Sequence, residues 1–324
     1  MIARPSARHL AGHHFRLRIP AFVKNTIFRL AVTFPSLVRL LITLSAKGYL
    51  TPHVWRPWLM NDISKVVWPT NRPWVGQTTR LFNGMTLEVD PLDMIGKHII
   101  RSGLYEPDTV EFIKRRLKQG MIFFDVGANI GQYTLIASQL VGASGVVHAF
   151  EPHPALCDVL IRNVRRNNCT NVIVNNTAVA EADGIATLFM STSSNYGATS
   201  LAPSGSSHNG GISVPVVSLD SYMKARRINR VDVAKLDIEG AELLALKGAS
   251  TMLDRGHDLV LIVELCDQLA QHFGHSANDL LAHLEARHFQ IFHPVEGSLV
   301  EYKCNEADPP SFNVVAIRTG RDSS

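Results

Sequence analysis

The sequence predicts an α/β protein with a mostly parallel sheet and helices on both faces. Short apolar runs bounded by turn residues recur at 121–126, 146–150, 172–174, 231–236 and 259–263, as fully buried strands do. Segments with helical spacing separate them. Four of these runs end in or beside an acidic residue: Asp125, Glu151, Asp237 and Glu264. In a parallel sheet those ends share one edge, and ligands bind there.

The organising stretch is Phe123-Phe124-Asp125-Val126-Gly127-Ala128-Asn129-Ile130-Gly131. It reads as a strand, a tight turn and a helix that opens at Gln132, the frame of a nucleotide-type cofactor site. Gly127 and Gly131 let the backbone turn and approach a ligand closely. The spacing is not G-x-G-x-x-G, because Asn129 holds the middle position; asparagine tolerates a left-handed backbone and offers an amide. Asp125 points to the class of ligand. A carboxylate at the strand end repels a diphosphate, which weighs against NAD, and attracts a cationic cofactor without phosphate. S-adenosylmethionine, with its sulfonium and ammonium, is such a molecule. Glu151 lies 20 residues beyond Gly131, where a ribose-binding acid belongs, and both ribose hydroxyls can donate to one carboxylate. Pro152 and Pro154 open the next helix.

The 324 residues suffice for one large α/β domain, 76–324, and a helical N-terminal extension, 1–75. Cys157, Cys169, Cys266 and Cys304 form no C-x-x-C pair and read as reduced, structural thiols. The histidines show no metal-ligand spacing, so no metal is expected. The net charge of +4 is uneven: nine lysines and arginines and no acidic residue precede Asp62, which leaves −5 on the rest. Such a basic segment suits a polyanion, a membrane surface or nucleic acid.

Within 19–50, Lys24, Arg29, Pro35, Arg39 and Lys47 interrupt the apolar residues. No run reaches the roughly 20 uncharged residues of a spanning helix, and a cleaved signal peptide fits poorly. Two short helices separated at Phe34-Pro35 fit better, with Ser36 as a cap for the second. All four tryptophans follow, Trp55, Trp58, Trp68 and Trp74. They suit a membrane interface or a seam against the larger domain. A basic, acid-poor transit peptide is a further option. The expected location is cytoplasmic, with peripheral membrane contact through this region.

Along the larger domain, strands 79–82 and 85–89 flank the turn signal Asn83-Gly84. A helix spans 108–117 with Asp108 as its cap. Another spans 155–167. The third core strand ends at Asn175-Asn176-Thr177-Ala178, where small residues and amides suit an adenine. Strands 185–190 and 212–217 enclose the loop 191–211, rich in serine, glycine and asparagine, which reads as a lid or a hairpin tip. Period-two alternation sets Lys235, Asp237 and Glu239 on one side. A helix spans 278–287, and strands cover 290–292 and 312–317. The connection 294–311 has no helical period, so the last strand runs antiparallel.

This combination resembles the FkbM family of S-adenosylmethionine-dependent methyltransferases. The matching stretches are 103–107, 123–131, 150–152, 176–179, 217–220, 235–242 and 263–264. They lie within residues 76–317; the N-terminal region finds no counterpart. The resemblance implies a Rossmann-like class I methyltransferase fold, a seven-stranded and mostly parallel sheet with an antiparallel last strand. It implies methyl transfer, usually to oxygen, on a small-molecule, glycan or lipid-linked hydroxyl. Asp125, Gly127, Asn129 and Gly131 would line the methionine part of the cofactor, with Glu151 on the ribose and Ala178 near the adenine. Asp237 and Glu239 are the candidate bases, and Glu264 is a third. Tyr105 and Glu106 would face the substrate. Nucleic acid is not an expected acceptor, because no base-stacking aromatic motif is seen in this part. An NAD-dependent oxidoreductase and a non-catalytic, membrane-associated cofactor binder remain as alternatives.

Overall fold

The elements that carry the site alternate strand and helix, after a hairpin and two helices. The hairpin strands are β1 (Gln77–Arg80) and β2 (Thr86–Val89), and the helices are α1 (Met94–Ser102) and α2 (Pro107–Arg116). Then come β3 (Ile122–Val126), α3 (Gln132–Val141), β4 (Val146–Phe150), α4 (Pro154–Arg166), β5 (Val172–Asn175), β6 (Ala178–Val179), β7 (Gly184–Phe189) and β8 (Gly211–Val217). They are followed by α5 (Leu219–Arg226), β9 (Val233–Leu236), α6 (Glu242–Lys247), α7 (Ser250–Asp254), β10 (Val260–Cys266) and α8 (Asp267–Ala270). The last are α9 (Ala277–Glu285), β11 (Phe289–Val295), β12 (Ser298–Glu301) and β13 (Ser311–Arg318). The computed structural model describes residues 74, 76–91, 93–190, 199–203, 211–254, 258–295, 298–303 and 311–318, and before these only Thr26, Arg29, Phe34, Ser36, Leu37 and Leu40.

The main sheet has the order β12-β11-β13-β10-β9-β3-β4-β5. From β5 to β10 neighbouring strands are parallel. β13 runs antiparallel between β10 and β11. The last strand is therefore antiparallel, as a connection without a crossover helix requires. An eighth strand, β12, extends the seven expected. It pairs with β11 through Val295↔Ser298 and lies in the stretch expected to be a plain connection. Its four residues are mostly exposed and carry no alternation to mark them.

Period two along β3 sends its side chains into two cores. Phe123 packs on one face with Leu135, Val147 and Val233. Phe124 and Val126 pack on the other with Phe150, Leu236 and Tyr222. Asp125 and Lys235 are register partners across β3 and β9. The same register brings the ends of β3, β4, β9 and β10 to one edge.

Several expected boundaries shift. The turn between β1 and β2 is five residues, not two: Leu81 N–H donates to Met85 O (2.8 Å) and Gly84 N–H to Leu81 O (3.0 Å). Phe82 and Met85 therefore leave the strands. α1 was not expected, although Asp93 and Gly103 bracket it. The Asp93 carboxylate accepts from Ile95 and Gly96 N–H, and Gly103 closes the helix in the left-handed region (φ 79°). α2 begins at Pro107 with Glu106 before it, so Asp108 lies in the first turn and is not the cap. The expected insertion forms a separate sheet of order β6-β8-β7. Of its loop, residues 191–198 and 204–210 lie outside the described residues.

The chain divides into two units, Met1–Pro69 and Thr70–Ser324. In the first, Ser36 is itself helical, and Leu37 and Leu40 are helical and exposed. The break at Pro35 and Trp55, Trp58 and Trp68 lie outside the described residues. Trp74 belongs to the second unit, where its indole N–H donates to Glu88 (3.1 Å). Among the described residues no helix is long and apolar enough to cross a membrane.

Two asparagines, Asn163 on α4 and Asn167 at its C-terminal cap, tie β2 to that helix. Asn167 accepts from Thr86 N–H (2.8 Å) and donates to Thr86 O (2.7 Å). Asn163 accepts from Glu88 N–H (2.7 Å) and donates to Glu88 O (3.2 Å) and to Ile130 O (2.8 Å). Four helical residues rise about 6 Å and two strand residues about 6.7 Å, so amides four apart on α4 match alternate residues of β2. Asn163 is fully buried and also holds the turn after β3. Asn163→Ala removes the partner of the buried Ile130 carbonyl and of the part-buried Glu88 N–H and C=O. It is expected to lower stability by roughly 2–4 kcal/mol in urea denaturation.

Candidate active site

A cavity opens at the carboxyl edge of the sheet. The turn after β3 contributes Gly127, Ala128 and Asn129, and the end of β4 contributes Glu151. Ala178 comes from β6, Lys235 from β9, Asp237 and Glu239 from the chain just after it, and Glu264 from β10. Tyr105 and Glu106, before α2, and Gln132 and Tyr133, on α3, close the wall. Nine of the eleven residues named from the sequence line this one cavity. Asp125 and Gly131 do not.

Asp125 is buried behind the wall. Its Oδ2 accepts from the Thr134 hydroxyl (2.5 Å), while Oδ1 has no hydrogen-bond partner. Burial raises its pKa, against the pull of Lys235. The glycines serve packing as well as turning. A Cβ on Gly127 (φ 85°) would sit 1.8 Å from the Asp237 carbonyl oxygen, and one on Gly131 (φ 96°) 2.5 Å from Leu160 Cδ1. Gly127 and Ala128 N–H both donate to Phe150 O (3.0 and 2.9 Å), which clamps the turn to the end of β4.

Three residues on the wall that are not glycine hold left-handed backbones: Glu106 (φ 52°), Asn129 (φ 50°) and Glu239 (φ 56°). Strain of this kind gathers where side chains must be aimed at a ligand. Asn129 N–H donates to Glu151 Oε2 (2.8 Å) and His153 N–H to Oε1 (2.9 Å), so Glu151 is fixed from both sides. Period-two alternation does not extend to Glu239, whose backbone has left the strand. It reaches the wall beside Lys235 and Asp237 through the turn.

Among the described residues, five carboxylates line the cavity, and Lys235 is the only basic lining residue. Lys235 is 1% exposed. Its ammonium sits 2.6 Å from Asp237 Oδ2 and 4.5 Å from the centre of the Tyr133 ring. Burial opposes its charge, but Asp237, Glu106 and Asp125 outweigh that and raise its pKa. The Tyr133 hydroxyl donates to Glu106 Oε2 (2.6 Å), so cation, ring and carboxylate form one chain. Strand alternation sets Lys235 on the side of Asp237 but does not mark it as a cavity wall, nor Gln132 and Tyr133. Their signal is their place at the start of the helix after the glycine turn. Gln132 grips Tyr105 at both ends, accepting from its N–H (2.6 Å) and donating to its carbonyl (2.9 Å).

Burial pushes Glu151 up to about 7 and Glu239, beside Asp237 and Glu242, up to about 8. Glu242, behind the wall, accepts from Ile238 N–H (2.8 Å) and is pushed by burial to about 7. Burial and Asp237 raise Glu264 as well, and its Oε2 has no hydrogen-bond partner. Among the described residues no group of three or more His, Cys, Asp or Glu side chains is placed to hold a metal ion. Cys157 and Cys169 are buried free thiols and Cys266 is partly exposed.

These raised values set the pH dependence of the ligand-free protein. An acid raised above its ordinary 4.5 keeps its proton in the folded state after the unfolded chain has released it. Its stabilising effect is full below pH 4.5 and is lost as pH rises through about 7 to 8. Urea denaturation is expected to show stability falling across that window. Lys235→Met, which leaves the carboxylates uncompensated, is expected to cost roughly 3–5 kcal/mol at pH 8 and less at pH 5.

Comparison with known proteins supplies the family. The chain is 28% identical over 148 residues to hexuronic acid methyltransferase AglP of Haloferax volcanii, covering 46% of this chain and 58% of that protein. It is 29% identical over 167 residues to methyltransferase 1 of Beauveria bassiana, covering 44% of this chain and 64% of that protein. The matched part thus spans about three fifths of each relative's length. Among solved structures, the methyltransferase FkbM of Methylobacillus flagellatus aligns at 16% identity and a TM-score of 0.39, over 90% of this chain and 62% of that one. The model of the methyltransferase FkbM domain matches residues 125–291, more than half of the sequence, and the chain belongs to that family.

Proposed function

We propose that this chain transfers the methyl group of S-adenosylmethionine to a hydroxyl of a sugar, glycolipid or natural product. One observation carries the reading: a single cavity at the sheet edge gathers five carboxylates around one lysine. Such a wall suits a cofactor with two cationic groups and opposes a diphosphate. The AglP relative, named for a hexuronic acid acceptor, supports a sugar-type substrate.

The cofactor supplies an activated methyl group with a good leaving group, so the protein's task is largely positioning. Glu151, held by two backbone N–H groups, presents the remaining lone pairs of its carboxylate to ribose hydroxyls. Gly127 and Asn129 hold the turn against the methionine portion, and Ala178 leaves room for the adenine. Asp125 acts from behind the wall as fixed negative potential. Asp237 and Glu239 stand where a hydroxyl proton can be taken as the new bond forms. Lys235 holds Asp237 in place through the 2.6 Å contact between its ammonium and Oδ2. Glu264, Tyr105 and Glu106 shape the acceptor side.

Labelled S-adenosylmethionine incubated with glycan and lipid extracts is expected to yield a labelled product. Asp237→Asn or Glu239→Gln, whichever removes the base, should slow transfer by roughly 100-fold or more. Full transfer in both variants would refute the base assignment. Binding of a nicotinamide dinucleotide, with no uptake of the methyl donor, would refute the reading itself.

The N-terminal region, 1–75, is proposed to touch an anionic membrane surface from the cytoplasmic side, apart from the methyltransferase domain of 76–324. The nine basic residues that precede Asp62, with no acidic residue among them, and the exposed Phe34, Leu37 and Leu40 support this. The full chain is expected to float with vesicles containing phosphatidylserine, and a chain lacking residues 1–69 to stay behind.

A further inference from the structure

We propose that Glu239 is the base of the pair and that Glu242, with Ser200, is a positioning residue that aims it. The proposal deepens the methyl-transfer reading and rests on it for what the base does. Glu239 stands in the turn after β9, where it and Gly240 both hold left-handed backbones (φ 56° and 99°). A glutamate in that region is strained, so contacts from other segments must impose it. The Glu242 carboxylate, on a residue 3% exposed, accepts from Ile238 N–H (2.8 Å) and Gly240 N–H (3.3 Å), one before Glu239 and one after it. The Ser200 hydroxyl, also buried, donates to the Glu239 carbonyl (3.1 Å). The peptide bond between Glu239 and Gly240 is thus held at both polar ends. A Cβ on Gly240 would sit 2.5 Å from the Leu269 carbonyl, so α8 closes the turn from a third side.

Two features favour Glu239 over Asp237. Asp237 Oδ2 is already engaged by the Lys235 ammonium at 2.6 Å. Glu239 lines the cavity, and among the described residues no hydrogen bond or ion pair holds its carboxylate. A base also works best with a proton affinity near the working pH, and burial, Asp237 and Glu242 push Glu239 up to about 8. In the transfer, the proton of the acceptor hydroxyl passes to a Glu239 oxygen as the hydroxyl oxygen bonds the methyl carbon. The carbon–sulfur electron pair stays on sulfur.

Glu242 acts on Glu239 through geometry and through charge. Around Glu239 stand Lys235 and Asp237 on the chain that leads into the turn, Glu264 on β10 and Glu242 on α6. Ser200 and α8 bring only a hydroxyl and backbone to the turn. A negative group behind Glu239 holds the proton on it to higher pH. Glu242→Gln separates the two effects, because it keeps a carbonyl oxygen for both N–H groups and removes the charge.

Carbon-13 NMR of the ligand-free full chain, with glutamate labelled at Cδ, tests this. The Glu239 resonance is identified by its loss in Glu239→Gln. It should titrate near pH 8 in the native chain. In Glu242→Gln the midpoint should fall by about 1 pH unit. Ser200→Ala frees the Glu239 carbonyl and should also lower the midpoint; it serves alone if the first variant does not fold. With labelled S-adenosylmethionine and a glycan extract, Glu239→Gln should lose more transfer than Asp237→Asn. A native midpoint near the ordinary 4.5, a midpoint that the folded variants leave in place, or a larger loss in Asp237→Asn would overturn the proposal. Calorimetry with S-adenosylmethionine on the same samples separates the two levels. Donor binding with an unmoved midpoint removes this proposal alone, and no donor binding removes the methyl-transfer reading beneath it.

Discussion

The ammonium of Lys235 makes the rest of this site tenable. Isolated carboxylates in a half-closed cavity repel one another and lose the hydration that would keep them charged. Here five of them line one space, with Asp125 and Glu242 just behind. Lys235 is held at 1% exposure by the strand that carries it and pairs with Asp237 at 2.6 Å. Its neighbour Tyr133 passes a hydrogen bond on to Glu106. The remaining imbalance appears in the raised pKa values of Glu151, Glu239 and Glu264. Among the described residues the wall thus carries more carboxylates than cations.

The geometry around that charge is set by close backbone approach. The turn after β3 and the chain after β9 meet so tightly that the position of Gly127 admits no side chain. The contact brings Asp237 and Glu239 to the same opening as Asn129 and Glu151. It is reinforced from outside by Asn163, which joins the turn, α4 and β2 through one buried amide. The left-handed backbones of Glu106, Asn129 and Glu239 show where local preference yields to this arrangement. Each aims a polar residue at the cavity from a different element.

Much of the fold was legible in the order of residues because it rests on local pattern. Buried runs such as 121–126 and 146–150 are too short and too apolar to be surface helices, and glycine or proline punctuates them. Their acidic ends mark the edge at which the cavity opens. Helix α1 was legible too, in Asp93 and Gly103, but its apolar spacing is short and easily passed over. β12 was not, because a four-residue exposed edge strand is defined by its partner and not by its own composition.

Side-chain destinations depended on contacts far apart in sequence. The pattern placed Asp125 at the head of the site, yet packing turns it behind the wall against Thr134. Glycines that read as room for a ligand prove to be room for Asp237 and Leu160. By itself the sequence determined the core strands of the parallel sheet and which of its edges is acidic, since these follow from composition and period. The tertiary structure decided which carboxylates face the cavity and which lysine stands among them, because those follow from register and crowding between segments that no local pattern encodes.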